Sequence, residues 1–202
     1  GMVGKLVVEH ARAAGHAVVV MARSRGVDLV TGAGVDDALP GVDAVIDVTN
    51  LPTLCRTAAV RFFETTTRTL LEAERRAGVR HHVLLSIVGV DRVDWGYYEG
   101  KRRQEELVLA GPVPATVLRA TQFHEFAAQS LERVPGPVAM MPAMRSRPVA
   151  ADEVAAELVR LADGPAQGRA TDIAGPEVLE MSSAMRRLTR ARGIRKLVLR
   201  LP

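Results

Sequence analysis

A chain of 202 residues with 48% apolar and 25% charged side chains has the balance of one globular domain, or of a domain plus a small lobe, and is not a disordered chain. No apolar run reaches the ~20 residues that cross a bilayer. The single cysteine, Cys55, excludes a disulfide framework and a multi-cysteine zinc site, and with no secretory signal in view the expected compartment is cytoplasmic.

The net charge of +4 is unevenly spread, because Met181–Pro202 holds seven cations and no acid, leaving residues 1–180 net acidic. That segment suits either an acidic partner or a solvated helix face. It carries no recognition motif and few aromatics for stacking, so nucleic acid is not expected.

In chain order, Gly4 to Ala14 has helix-forming composition and ends at Gly15, a C-cap signal. Ala17–Met21 is a continuous apolar run of buried-strand type, and so are Ala44–Val48, His82–Ser86 and Ala115–Arg119. Between them lie a long amphipathic stretch, Arg56–Ala77, stopped by Gly78, and a helix over Tyr97–Leu109 closed by Gly111-Pro112. Strands apolar on both faces belong to parallel sheets covered by crossover helices. The alternation therefore predicts an α/β fold, a doubly wound parallel sheet over residues 1–120. After Arg119, proline and glycine punctuate a loop-rich stretch. A helix is expected over Ala151–Ala162, a short strand over Thr171–Ala174 and a helix over Ser182–Arg192. Residues 121–202 are read as a smaller α/β lobe over the strand ends. The chain opens on a helix with no strand in front, and Leu197–Pro202 stops in mid-pattern. The expectation is that the first strand of the sheet is absent from this chain and that the working protein is longer.

Four features carry chemistry. Gly1 and Gly4, three apart at a helix start, match the end of a glycine-rich turn whose backbone N–H groups hold a pyrophosphate; a chance spacing at a frayed terminus is the alternative. About 20 residues on, where an NAD site places an acid, the chain has Arg23-Ser24-Arg25, a set suited to the 2′-phosphate of NADP, with ordinary loop charges in an arginine-rich chain as the alternative. Tyr97 and Lys101 are four apart and share a helix face, where a lysine cation would lower the phenol pKa for acid–base work. Glycine at position 100, inside that helix, costs helix propensity and points to a close backbone approach. Ser86 closes a buried strand, where a hydroxyl would polarise a substrate carbonyl. The bland readings of the last two are a surface pair and a strand-end cap.

The segments Leu85-Ser86-Ile87-Val88-Gly89-Val90-Asp91, Tyr97-Tyr98-x-x-Lys101 and Leu118-Arg119-Ala120-Thr121-Gln122-Phe123 resemble the atypical short-chain dehydrogenase/reductase superfamily, and within it the NmrA-like NAD(P)H-binding oxidoreductases. The resemblance covers nearly the whole chain and implies a Rossmann-type fold. It also implies that Asp47-Val48-Thr49-Asn50 lines the adenine-ribose side of the cofactor, that Thr121-Gln122-Phe123 closes over the nicotinamide, and that Ser86, Tyr97 and Lys101 form the catalytic trio, with Lys101 also holding the nicotinamide ribose.

The weaker candidates are His124 and Glu125 near substrate, the His81-His82 doublet, which has no third metal ligand, Cys55 as a packing residue at a helix start, and Met140, Met141 and Met144 as apolar lining or core. The expected function is an NADPH-dependent oxidoreductase of a small carbonyl or quinone-type substrate, with NAD as the possible second cofactor and no metal. A non-catalytic NADP-binding redox sensor and a sugar-nucleotide epimerase or dehydratase stay open beside it.

Overall fold

The computed structural model describes residues 1–126, 131, 136–142 and 144–201. A parallel sheet in the order β1-β2-β3-β6 forms its centre, from β1 (Ala44–Asp47), β2 (His81–Ile87), β3 (Ala115–Ala120) and β6 (Gly168–Arg169). Helices α1 (Met2–Ala13) and α5 (Ala151–Asp163) cover one face. Helices α2 (Val35–Ala38), α3 (Arg56–Ala77) and α4 (Gly96–Leu109) cover the other. The doubly wound α/β fold expected from the alternating runs is the one observed.

The core divides by strand period. Val83, Leu118 and Ala120 pack against Val7, Val154 and Leu158 of α1 and α5, while Leu84 and Val117 pack against Leu71 and Val108 of α3 and α4. The α1 C-terminus ends in a double hydrogen bond, from Gly15 N–H to Arg12 O and from His16 N–H to Ala11 O, with Gly15 at φ +89°. That is the left-handed glycine cap read from the sequence.

Three expectations are corrected. Ala17–Met21 is not a strand: among the described residues it has no ladder partner, and an extended run becomes a strand only through a hydrogen-bonded neighbour. Its Val18 and Met21 still pack into the two cores on either side of the sheet, while Val19 and Val20 are exposed. The strand expected at Thr171–Ala174 reduces to one bridge, Ala120 to Ile173, with β6 forming just before it. The sheet does not end at residue 120 either, because α5 and β6 return to it. What stands apart is a cluster of Leu131, Ala139, Met181, Met185 and Val198. It joins α6 (Met181–Ala191) to a parallel ribbon of β4 (Val138–Pro142) with β8 (Leu197–Leu201), beside an antiparallel pair of β5 (Arg145–Ser146) and β7 (Leu179–Glu180). The strands at Val138–Pro142 and Leu197–Leu201 and the short α2 were missed from the sequence.

Under the sheet, His82 Nδ1 donates to the fully buried Glu74 carboxylate of α3 at 2.9 Å. Burial pushes the Glu74 carboxyl upward. Burial also works against charge on His82, but the Glu74 contact outweighs it and holds the imidazole above its usual range.

Helix α4 lies close on α3 at Gly100. A Cβ there would stand 2.7 Å from Phe63 and 2.8 Å from the Ala59 backbone. The close approach expected of a helical glycine is therefore real. Gly100→Ala, which in an open helix would gain stability, should instead cost about 1–3 kcal/mol through overpacking. A urea titration that finds the variant as stable as the parent would refute this contact.

Candidate functional site

The site is built where the sheet's carboxyl ends meet the first turns of α1 and α4. Helix α1 starts beside β1, since a Cβ on Gly4 would lie 3.4 Å from Val48. At its other end His16 pairs with Asp163, the last residue of α5. The extended run 17–22 then leads into Arg23–Arg25, a short 3-10 turn capped by Gly26 at φ +83°. Arg23, Ser24 and Arg25 are exposed and, among the described residues, their side chains make no hydrogen bond or ion pair. Two guanidinium groups and a hydroxyl without partners among the described residues are a donor set of the kind that holds a phosphate.

Strand period puts Asp47, Leu84, Ser86, Val117 and Arg119 on the sheet face under α4. Opposite them, helix period puts Lys101, Gln104 and Glu105 on one face of α4, all buried. Lys101 Nζ donates to Leu85 O at 2.8 Å and to Gln104 Oε1 at 2.5 Å, and lies 5.0 Å from the centre of the Phe63 ring. Gln104 Nε2 donates to Asp47 Oδ2 at 2.9 Å and to Thr49 Oγ1 at 3.3 Å, and Thr49 N–H donates to Asp47 Oδ1 at 2.8 Å. Glu105 accepts from Ser86 Oγ at 2.5 Å, from Arg119 at 2.9 and 2.7 Å, and from Arg169 at 2.6 Å.

The expected trio is thus distributed. Ser86 is buried and its proton is directed at Glu105, so its donor is engaged within the protein. Tyr97 Oη donates to Asn50 Oδ1 at 2.8 Å. Among the described residues no hydrogen bond joins Tyr97, Lys101 and Ser86. The expected lowering of the phenol pKa is not what this environment produces: burial, with a smaller contribution from Tyr98, pushes Tyr97 up to about 12. Burial also pulls Lys101 down to about 8, against the opposing pull of Asp47 and Glu105.

Asn50 sits beside Tyr97, as its hydrogen bond requires. Arg56 pairs with Asp94 at 2.6 Å, tying the segment after β1 to the segment after β2. After β3, Thr121 Oγ1 donates to Arg147 O at 2.6 Å, Val149 N–H donates to Gln122 O at 3.0 Å, and Phe123 packs on the α1–α5 core. The segment 121–123 is thereby stitched to residues 147–149.

The weaker candidates lie elsewhere. Strand alternation splits the histidine doublet, His81 to Thr116 and His82 to Glu74. Cys55 is the exposed N-cap residue of α3, so it is not a packing residue. His124 is exposed, and Glu125 Oε2 is buried without a partner among the described residues. Met140 is exposed, and Met144 packs on the small-lobe cluster. Among the described residues no group of His, Cys, Asp and Glu side chains is placed to hold a metal, and no helix is long and apolar enough to cross a membrane. Two surface concavities, one along α3 at Arg61 and one beside α6 at Arg190, contain none of the expected site residues. Sequence reading missed Gln104 and Glu105; the polar spacing 101, 104, 105 on a helix facing Asp47 and Ser86 is the signal that finds them.

A family profile described as NAD(P)H-binding matches residues 26–165. A (4-alkanoyl-5-oxo-2,5-dihydrofuran-3-yl)methyl phosphate reductase of Streptomyces griseus is 31% identical over 186 residues, 85% of this chain. The chain spans 61% of that relative's length. MoeE5 in complex with UDP-glucose and NAD superposes on the whole chain and 82% of its own length, with TM-score 0.82 and 19% identity. An NADPH-dependent quinone oxidoreductase from Escherichia coli does so over 75% of its length, with TM-score 0.72 and 18% identity. At these identities the solved structures are alike in fold.

Unfolded Lys101 titrates near 10.5 and folded Lys101 near 8. Between those values the unfolded chain holds the extra proton, so this group's contribution to stability rises with pH. The stability of the parent relative to Lys101→Met should therefore climb from pH 8 to 10 in urea titrations. A difference that stays flat over that window would show that the ammonium is not desolvated.

Proposed function

The chain belongs to the NAD(P)H-binding family, and from that premise we propose that it is an NADPH-dependent reductase of a small carbonyl or quinone-type substrate. The observation that carries the reading is Tyr97. Its hydroxyl donates to Asn50 Oδ1 in the turn after β1, so the phenol proton is already aimed at an oxygen acceptor beside the carboxyl end of the sheet. A group in that state serves as an acid, which is what reduction of a carbonyl requires.

Arg23, Ser24 and Arg25 would hold the 2′-phosphate. The α1 start at Gly1 and Gly4 would face the pyrophosphate, and Asp47–Asn50 with Thr121–Phe123 would border the remainder. When bound, the cofactor supplies a hydride to the substrate carbon. Tyr97 holds the matching proton on Oη; a substrate carbonyl oxygen that takes the place of Asn50 Oδ1 as acceptor would receive it and become the hydroxyl of the product, its C–O bond kept, leaving the phenolate to regain a proton from water. Lys101, donating to Leu85 O and Gln104, supports α4 from within. The reductase named in the 31% identical relative supports the direction of the reaction.

A second reading, a redox sensor that binds NADPH without turnover, draws on Ser86 and Lys101 having their donors engaged inside the protein.

Calorimetric titration tests the cofactor. Arg23→Ala should weaken NADPH about tenfold and leave NADH unchanged; equal loss for both would remove the 2′-phosphate role. Oxidation of NADPH over a panel of quinones and conjugated carbonyls tests the chemistry. Tyr97→Phe should cut turnover about a hundredfold with NADPH affinity retained. Tight NADPH binding with no consumption by the parent on any panel member would favour the sensor.

A further inference from the structure

Gln104 is fully buried and joins three groups that the sequence assigned to the site. Its neighbours dictate its orientation. Lysine offers only donors, so the amide oxygen must face Lys101, and the amide nitrogen is then left for the Asp47 carboxylate, an acceptor. Asp47 divides its two oxygens. Oδ1 takes the Thr49 N–H and closes the turn that follows β1, and Oδ2 takes Gln104. The turn is thus fixed to α4 through one amide, and Asn50 at its end meets Tyr97 one turn N-terminal of Lys101 on the same helix.

We propose that Gln104 is a positioning residue of the dinucleotide site, holding the Asp47–Asn50 turn against Lys101 and so setting the shape of the loop that borders the cofactor. The inference rests on the reading of Asp47–Asn50 as a cofactor loop. Removing the amide leaves both Asp47 Oδ2 and Lys101 Nζ short of a partner in a buried place, and the turn must shift to recover one.

NADPH titrated into the parent, Gln104→Met and Leu70→Ala separates positioning from general loss of stability. Leu70 is a core residue of α3 in the cluster that packs around Val45 and Leu39. Gln104→Met should raise the NADPH Kd about tenfold. Leu70→Ala, with at least as large a drop in Tm, should leave it within about twofold. Gln104→Glu keeps an acceptor for Lys101 but loses the donor to Asp47; it should show the same loss and serves where methionine does not fold. Parent-like affinity in both Gln104 variants, or an equal loss in Leu70→Ala, overturns the inference while leaving the cofactor reading in place. A parent that binds neither NADPH nor NADH overturns the cofactor reading and this inference with it.

Discussion

Helix α4 turns a largely polar face onto the sheet, with Val108 its apolar contact, and much of the site depends on satisfying that polar face. A buried ammonium, amide and carboxylate each cost several kcal/mol unless paired. Here Lys101, Gln104 and Glu105 find Leu85 O, Asp47, Ser86, Arg119 and Arg169. Sliding α4 by a residue would break all of these contacts together, so the helix has one register on the sheet. Gly100 on the adjoining face lets α3 approach at that same register. The position of Tyr97 beside Asn50 follows from these two constraints.

The same burial explains why the tyrosine and the lysine have shifted pKa values that oppose the simple picture of a cation lowering a phenol. Each is desolvated in its own surroundings, and desolvation acts against whichever form is charged. The tyrosine therefore keeps its proton more firmly, and the lysine less so. A proton donor at the surface of the site and an ammonium used inside the protein are different tools, though their spacing in sequence is that of a catalytic pair. Ser86 illustrates the same point, because its carboxylate partner comes from α4 and no local pattern around Ser86 announces it.

Much of the architecture was legible in the sequence. Ala44–Asp47, His81–Ile87 and Ala115–Ala120 form within two residues of the runs that predicted them, since an unbroken apolar run fits a strand covered on both faces. Gly15 and Gly78 end their helices as expected. What failed depended on partners remote in sequence. Ala17–Met21 has the composition of a strand but, among the described residues, no neighbour to pair with. β4 and β8 are 55 residues apart at the nearest, and neither looks like a strand alone. At the candidate site, residue types and spacing singled out Asp47, Ser86, Tyr97 and Lys101. Which group each would touch was set by α4's placement, which periodicity does not specify when the buried face is polar.

Five of the chain's seven aromatic rings, Phe62, Phe63, Trp95, Tyr97 and Tyr98, form one edge-to-face chain running from the α3–α4 seam to the surface. Trp95, the single tryptophan, ends it half-exposed, 5.4 Å from Tyr98 and 6.5 Å from Tyr97. The protein therefore carries its own optical reporter beside Tyr97 and Tyr98. Tryptophan emission comes from one place only, and both tyrosines are close enough to pass their excitation to it. Trp95 fluorescence is thus a label-free probe of whatever changes the surroundings of these rings.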